Sequence, residues 1–510
     1  MSRRWLLIVL GLVGWTMTTP VSALPRSDEP WHRLRGEHFE IVSNAPPAQI
    51  LSTAKELDGL RHAISRVTAF EPVSPVPIRL YLFDDDISLH PYKHRFDGKP
   101  ADMSGAYYPR PWGDFLTMNG ARRRSAQRSV FHEYLHAVLR NNLPGLPLWL
   151  EEGMAEFFST FVVVGDTGRL GRPVPWHPYT LGSGDRLDLR VLLTLETDSD
   201  HYNRFEHQGE LYARSWELAH YFLLDIDRRR QLLDYLGRTF AGAEPAEAFR
   251  AAFDTDFLTM EERLLAYRRG GYPERRVPLD TRPSTIDGNQ IERMAHDDVL
   301  TALGDLLVAQ GKRRAEATFH FESVLDRSPD HAGALTGLGQ LAELDGDLPR
   351  ARALYHRAAE GQPDDPRASY HYAKSLLQLG RATQEAKLAE ARHHLERSVT
   401  ADPTFAPAWI ELTRARALTE SPTTGPSLPA SGQIALQLLL LHSRHGDRDA
   451  ARALWHEVFE RRPDDPLRRS AQAVLERMDW VAAERSTPPE LVRPDPAHRE
   501  RVTPDRPDDR

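Results

Sequence analysis

The chain has no cysteine among its 510 residues. That excludes a disulfide framework, a thiol nucleophile, a thiolate metal ligand and a lipid-bearing cysteine. Any metal ion must therefore be held by imidazole and carboxylate. An excess of one charge is also missing: 65 Lys and Arg stand against 73 Asp and Glu, a net charge of -8. No strongly basic domain stands out, so nucleic acid is not an expected partner. Long apolar runs are absent after the first residues, and no later segment reads as a membrane span. Arg3 and Arg4 precede an apolar stretch from Trp5 to Trp15, and Val21-Ser22-Ala23 has the small residues of a cleavage site. This pattern predicts a signal peptide over 1–23 and an exported chain, periplasmic or secreted, with no stable span once mature.

What is present divides into an α+β part and an all-α part. HFEIVSN (38–44), PIRLYLF (77–83), GAYYPR (105–110) and GDFLTMN (113–119) read as strands, the last two joined at Pro111-Trp112. Leu51, Ala54, Leu57, Leu60 and Ile64 recur at helical spacing and predict an amphipathic helix over 48–67. These elements make a small mixed α/β lobe over 31–120. A mainly helical part follows over 121–270, and 271–291 reads as a linker.

HEYLH occupies 132–136, in the helical part. Its flanks, SVFHEYLHAVLR, are apolar at Val130, Tyr134, Ala137 and Val138 and predict a helix. Residues four apart share a helix face, so His132 and His136 can present both imidazoles to one metal ion. Glu133 lies one step round, where a base acting on water is needed. A pair of solvated histidines would give the same five residues. LWLEEGMAEFF (148–158) argues against that. It begins sixteen residues after His132, past Gly145 and two prolines that suit a chain reversal. Burying Glu151, Glu152 and Glu156 among apolar residues without counter-charge is costly, and a divalent cation offsets that cost. Glu152 and Glu156 share a helical face, whereas Glu151 is expected to point elsewhere.

HEYLH followed by LWLEEGMAEFF resembles the gluzincin metallopeptidases, with their thermolysin-like and aminopeptidase-like fold. It resembles more closely the bacterial peptidase-MA-like proteins, which often carry tetratricopeptide repeats. The resemblance covers 31–270, with its sharp motifs within 132–156. It implies a helical zincin-like domain and one Zn2+ per chain, held by His132, His136 and Glu152. Glu133 would be the general base, Glu156 would bond a ligand histidine, and Glu151 would be a neighbour only. LYARSWELAHYFL resembles the aminopeptidase helix that supplies an oxyanion-binding tyrosine, which implies Tyr212. A half-buried core tyrosine is the plain alternative, and His220, two turns on, is expected in the core or a loop.

The aminopeptidase motif G-x-M-E-N is absent, because GDFLTMN holds no Glu. The resemblance then implies an endopeptidase acting on a peptide or protein substrate. In gluzincins an edge strand before the site helix pairs with extended peptide, a role open to GAYYPR or GDFLTMN. Tyr107, Tyr108, Trp112 and Phe115 would line that cleft or, equally well, the lobe core. Two alternatives stand beside this one. The first is a protein-binding scaffold with a low-activity or inactive zinc-binding domain. The second is metal-assisted hydrolysis of another amide, such as one in cell-wall material. His90, His94 and His201 are expected at the surface.

The last part repeats. Gly339, Ala351, Tyr355, Ala358 and Pro363 fall at the offsets of the tetratricopeptide repeat (TPR), whose period is about 34 residues. Ala317, Phe321, Val324 and Pro329 stand one period upstream. Ala391, Leu395, Ser398 and Pro403 follow an insertion near 382–388, and Ala451, Trp455, Val458 and Pro463 follow another at 421–431. An all-α TPR solenoid is expected over 292–479, its concave surface holding a protein partner. Pro, Arg and Asp dominate 480–510, which predicts a disordered tail.

Overall fold

The computed structural model describes residues 24–475, apart from 69–71, 97–98, 183–186, 203–204, 280–285, 379–384, 418–434, 437–438, 440–447, 462–467, 469–470 and other scattered positions. The expected signal peptide and tail lie outside the described residues, as do most of the two insertions in the repeats and His201.

The lobe is built on strands β1 (His32–Arg35), β2 (Glu40–Ser43) and β3 (Ile78–Phe83). A small hairpin, β4 (Arg95–Phe96) with β5 (Lys99–Pro100), precedes β6 (Gly105–Arg110) and β7 (Gly113–Asn119). Further on come β8 (Val162–Val164), β9 (Thr167–Leu170), β10 (Arg275–Pro278) and β11 (Ile291–Arg293). The main sheet has the order β11-β1-β2-β3-β7-β6. Its centre is parallel (β2 with β3, β3 with β7), and its outer pairs are antiparallel. Two strands thus lie within or at the end of the segment expected as a linker: β10 pairs with β9, and β11 pairs with β1.

Both faces of this sheet are covered, which is why β3 reads IRLYLF rather than alternating with polar residues. Leu80 and Leu82 enter a core with the helices α1 (Pro47–Thr68) and α2 (Arg123–Asn142). Tyr81 and Phe83, one residue out of phase, enter a second core on the opposite face. On α1 the expected apolar stripe holds: Ala54, Leu57, Leu60 and Ile64 are buried, and Leu51 packs at the margin.

The helical part adds α3 (Leu148–Ser159), α4 (His177–Gly182) and α5 (Phe205–Leu223). The repeats then begin with the pairs α6 (His296–Gln310) with α7 (Arg314–Leu325), and α8 (Ala332–Leu344) with α9 (Leu348–Gly361). α10 (Pro366–Leu377) pairs with α11 (Glu385–Ala401), followed by α12 (Ala406–Ala417) and α13 (Arg448–Trp455). The signature alanines Ala317, Ala351, Ala358, Ala391 and Ala451 are buried between helices.

The second core joins lobe and repeats. Val299, Leu303 and Leu306 of α6 pack against Val42, Tyr81, Phe83 and Phe115 of the sheet. The Tyr81 hydroxyl donates to the Ala302 carbonyl at 2.7 Å, and Gln310 Nε2 donates to the Tyr92 carbonyl at 2.6 Å. Arg79 of β3 and Arg367 of α10 both reach buried Asp305, at 3.2 and 2.7 Å. Trp112, in the turn between β6 and β7, meets the His371 ring of α10 at 6.3 Å. The first helices of the array therefore spend much of their surface on the chain's own lobe.

Candidate metal centre

The HEYLH helix is longer than its motif, running from Arg123 to Asn142. Val130, Phe131, Tyr134, Leu135 and Val138 anchor it in the core, so His132 and His136 are left on the face toward α3. Gly145 takes φ 82 in the reversal that follows, and Pro147 starts α3. Gly153 lets α3 cross α5 closely: a Cβ there would lie 2.2 Å from the Ser215 carbonyl oxygen. That crossing sets the Glu152 carboxylate beside both histidines and the Tyr212 ring beside His132.

Three atoms converge. His132 Nε2 and His136 Nε2 are 3.1 Å apart, and Glu152 Oε2 lies 3.3 and 3.5 Å from them respectively. Ligands at 2.0–2.2 Å around a tetrahedral ion sit about 3.3–3.6 Å apart, so one point about 2.1 Å from all three atoms lies just off their plane. Glu152 is only 2% exposed, and its Oε2 has no hydrogen-bond partner. A buried, ionisable oxygen left open between two imidazole nitrogens is what a divalent cation would satisfy. His132, His136 and Glu152 thus form a cluster able to hold a metal ion. The side chains of His132 and His136 keep 14% and 16% of their surface exposed, so the cluster is reached from solvent.

The other ring nitrogens are held as well. Glu156 Oε1 lies 3.3 Å from His132 Nδ1, as expected of an acid one turn after Glu152. Glu151 departs from expectation. Its Oε1 lies 3.1 Å from His136 Nδ1 instead of pointing elsewhere. At the start of α3 the backbone brings Glu151 alongside α2, and His136 Nδ1 needs an acceptor once Nε2 faces the metal position. Both imidazoles are thereby backed by a carboxylate.

Without a metal the cluster holds protons. Burial alone would lower both imidazole pKa values, but the Glu152 and Glu156 carboxylates beside it keep His132 well above 6.5. At His136 the same contest, decided by Glu151 and Glu152, lifts the pKa to about 9. Glu152, which burial would raise, is instead held far below the usual carboxylate range by the two imidazoles beside it. The site demands positive charge.

Tyr212 stands edge-on to His132, ring centroids 6.0 Å apart. Tyr202 carries no signal in the sequence, because it sits in a polar stretch without periodicity. Burial raises both phenols, and the negative charges of Glu152 and Glu133 raise them further, so both remain donors at neutral pH. Glu133 is half-buried and lies within electrostatic reach of both. His220 is fully buried and bonded through Nδ1 to the Tyr267 hydroxyl at 2.9 Å, in the core as expected.

Three other expectations change. β6 is the edge strand and β7 lies inside the sheet, which leaves GAYYPR alone for strand pairing. Tyr108, Trp112 and Phe115 belong to the core shared with the repeats, the second of the two places open to them, although Tyr108 also feels the charge of Glu133; Tyr107 packs on the site's side of the sheet. His94 is half-buried and stacks on Tyr108, ring centroids 5.9 Å apart, because the β4–β5 hairpin folds back over the sheet.

Comparison with known proteins bears on the repeats. A family described as the tetratricopeptide repeat matches residues 301–366 and 345–403. The chain contains a TPR region. Among solved structures, a thermophilic TPR protein from Thermus thermophilus is similar at 21% identity, covering 35% of this chain and 99% of its own, with a TM-score of 0.24. No curated protein matches the chain. The TPR region makes the chain one built for protein interaction. Among the described residues no helix is long and apolar enough to cross a membrane.

Proposed function

We propose that this chain is a zinc-dependent hydrolase that cuts peptide bonds within a peptide or protein substrate and uses its TPR helices for protein recognition. The triangle of His132 Nε2, His136 Nε2 and Glu152 Oε2 carries this reading. Its edges of 3.1, 3.3 and 3.5 Å suit a small tetrahedral cation. Imidazole and carboxylate donors favour zinc over magnesium or calcium. Three protein ligands, as opposed to four, are the mark of a catalytic site.

Bound there, a zinc ion supplies Lewis acidity to the scissile carbonyl and makes a water acidic enough to attack near neutral pH. Glu133 takes the proton from the attacking water and returns it to the leaving amine. The Tyr212 hydroxyl donates to the developing oxyanion. Glu156 and Glu151 hold the two imidazoles in the tautomer that turns Nε2 toward the ion. The open edge of β6 offers backbone pairing to an extended peptide, which makes few demands on its side chains. Export, expected from residues 1–23, belongs to the same proposal.

A second reading has its own support: the family match lies wholly within the repeats. On that reading the chain is a TPR-based scaffold whose zinc-binding domain turns over little or nothing. The metal content of the purified full chain, beside His136→Ala, tests both. Close to one zinc per chain in the first and almost none in the second supports the metal centre; no zinc in either ends the hydrolase reading. Cleavage of a peptide library that Glu133→Ala abolishes then separates the hydrolase from the scaffold.

A further inference from the structure

His177, on α4, is a fully buried imidazole with neither ring nitrogen hydrogen-bonded. Glu156 Oε2 is also buried and unbonded. The two face each other, Nε2 to Oε2, across 3.6 Å. Two unsatisfied buried atoms are costly, and a single bond between them satisfies both. Among the described residues nothing else competes for the ring, which lies against the Trp216 indole at 5.2 Å with Trp176 at 6.1 Å. Burial pushes its pKa down to about 4, so it is neutral near pH 7 and has one N–H to give. The partner is fixed too. Glu156 Oε1 lies 3.3 Å from His132 Nδ1, which leaves Oε2 facing His177.

We propose that His177 is a positioning residue of the metal centre, donating from Nε2 to Glu156 Oε2. That bond leaves Glu156 Oε1 to accept from His132 Nδ1, and so turns His132 Nε2 toward the metal. The relay His177–Glu156–His132 then sets the rotation of one zinc ligand from a layer that touches neither metal nor substrate. This inference rests on the zinc reading above.

Zinc affinity of the full chain, measured by chelator competition, tests it alongside the absorption spectrum of the cobalt-loaded form. His177→Phe keeps a ring of similar size and removes the donor. It should weaken zinc about tenfold, the low end for residues that orient a ligand, and shift the cobalt bands. His177→Gln, which retains a donor, should recover most of the loss. In a Glu156→Gln background His177→Phe should add nothing further, because the relay is already cut. Nitrogen-15 NMR of the unaltered protein gives a readout that needs no variant: His177 should be the Nε2–H tautomer.

An Nδ1–H tautomer, or wild-type zinc affinity in His177→Phe, overturns the relay while leaving the metal centre standing. The same loss in both backgrounds reduces His177 to packing. Absence of zinc binding in the unaltered chain overturns relay and metal centre together.

Discussion

Zinc binding should expel protons. In the metal-free cluster the two Nε2 atoms are 3.1 Å apart and Glu152 Oε2 is buried between them. Both imidazoles are held above their ordinary 6.5 by the carboxylates beside them, so near neutral pH the metal-free cluster carries extra protons. His136 carries a pKa of about 9 in this state. Binding at neutral pH should therefore release at least one proton per zinc, and the apparent affinity should rise at least about tenfold per pH unit until His136 has lost its proton near pH 9. Calorimetry in buffers of different ionisation enthalpy gives the proton count directly.

The same shift fixes the stability of the metal-free protein. A folded pKa raised above its ordinary 6.5 contributes stability that is fully present below about pH 6.5 and lost as pH rises through about 9. Glu152, shifted down from 4.5, contributes stability present above that value and lost in acid. Metal-free protein should thus melt at lower temperature at pH 9.5 than at pH 6, and saturating zinc should abolish most of that difference. No proton release at pH 7, with affinity flat from pH 6 to 8, would refute the electrostatic picture of the cluster.

Three further outcomes are expected. Gly153→Ala drives a methyl to 2.2 Å from the Ser215 backbone oxygen, so α3 and α5 must separate. Melting should show a loss at or above the usual overpacking cost of about 1–3 kcal/mol, with weakened zinc binding. Asp305→Ala leaves Arg79 and Arg367 facing each other between sheet and repeats. Arg79 keeps its pair with Glu40 and Arg367 is partly exposed, so chemical denaturation should show a loss of about 1–3 kcal/mol, without change in zinc content. Glu133→Gln should keep its zinc and lose at least about a hundredfold in any peptide cleavage, the scale of a general base, in a kinetic assay.

Much of this architecture is legible in residue patterns. The α1 stripe, the strands at 78–83 and 105–119 and the repeat alanines follow periodicities set by local geometry. HEYLH is legible for the same reason, since a four-residue spacing fixes a shared face. Partners across elements are harder to read. Glu151 escapes helix-face reasoning, which separates it from Glu152, because its actual partner lies on another helix. Tyr202 carries no pattern at all. The double-sided burial of β3 is written in IRLYLF, but nothing there names the element that covers the second face. Seeing that Trp112 and Phe115 meet the repeats requires knowing that the array folds back, and that depends on contacts made hundreds of residues along the chain.

β1 and β11 pair across almost the whole length of the lobe and its helical part, Leu34 with Ile291 and His32 with Arg293. Until β11 emerges during synthesis, β1 presents an unpaired strand edge and the outer face of the sheet has nothing to bury it. The last strand and the helix that covers that face arrive within about twenty residues of each other, β11 at 291–293 and α6 at 296–310. The N-terminal half is therefore expected not to finish folding on its own, and the β1–β11 pairing, whose partners lie more than 250 residues apart, should close slowly. A truncation before residue 291, the natural place to cut between two modules, should yield an aggregating fragment. Lobe and repeats share one core and are expected to fold as one unit.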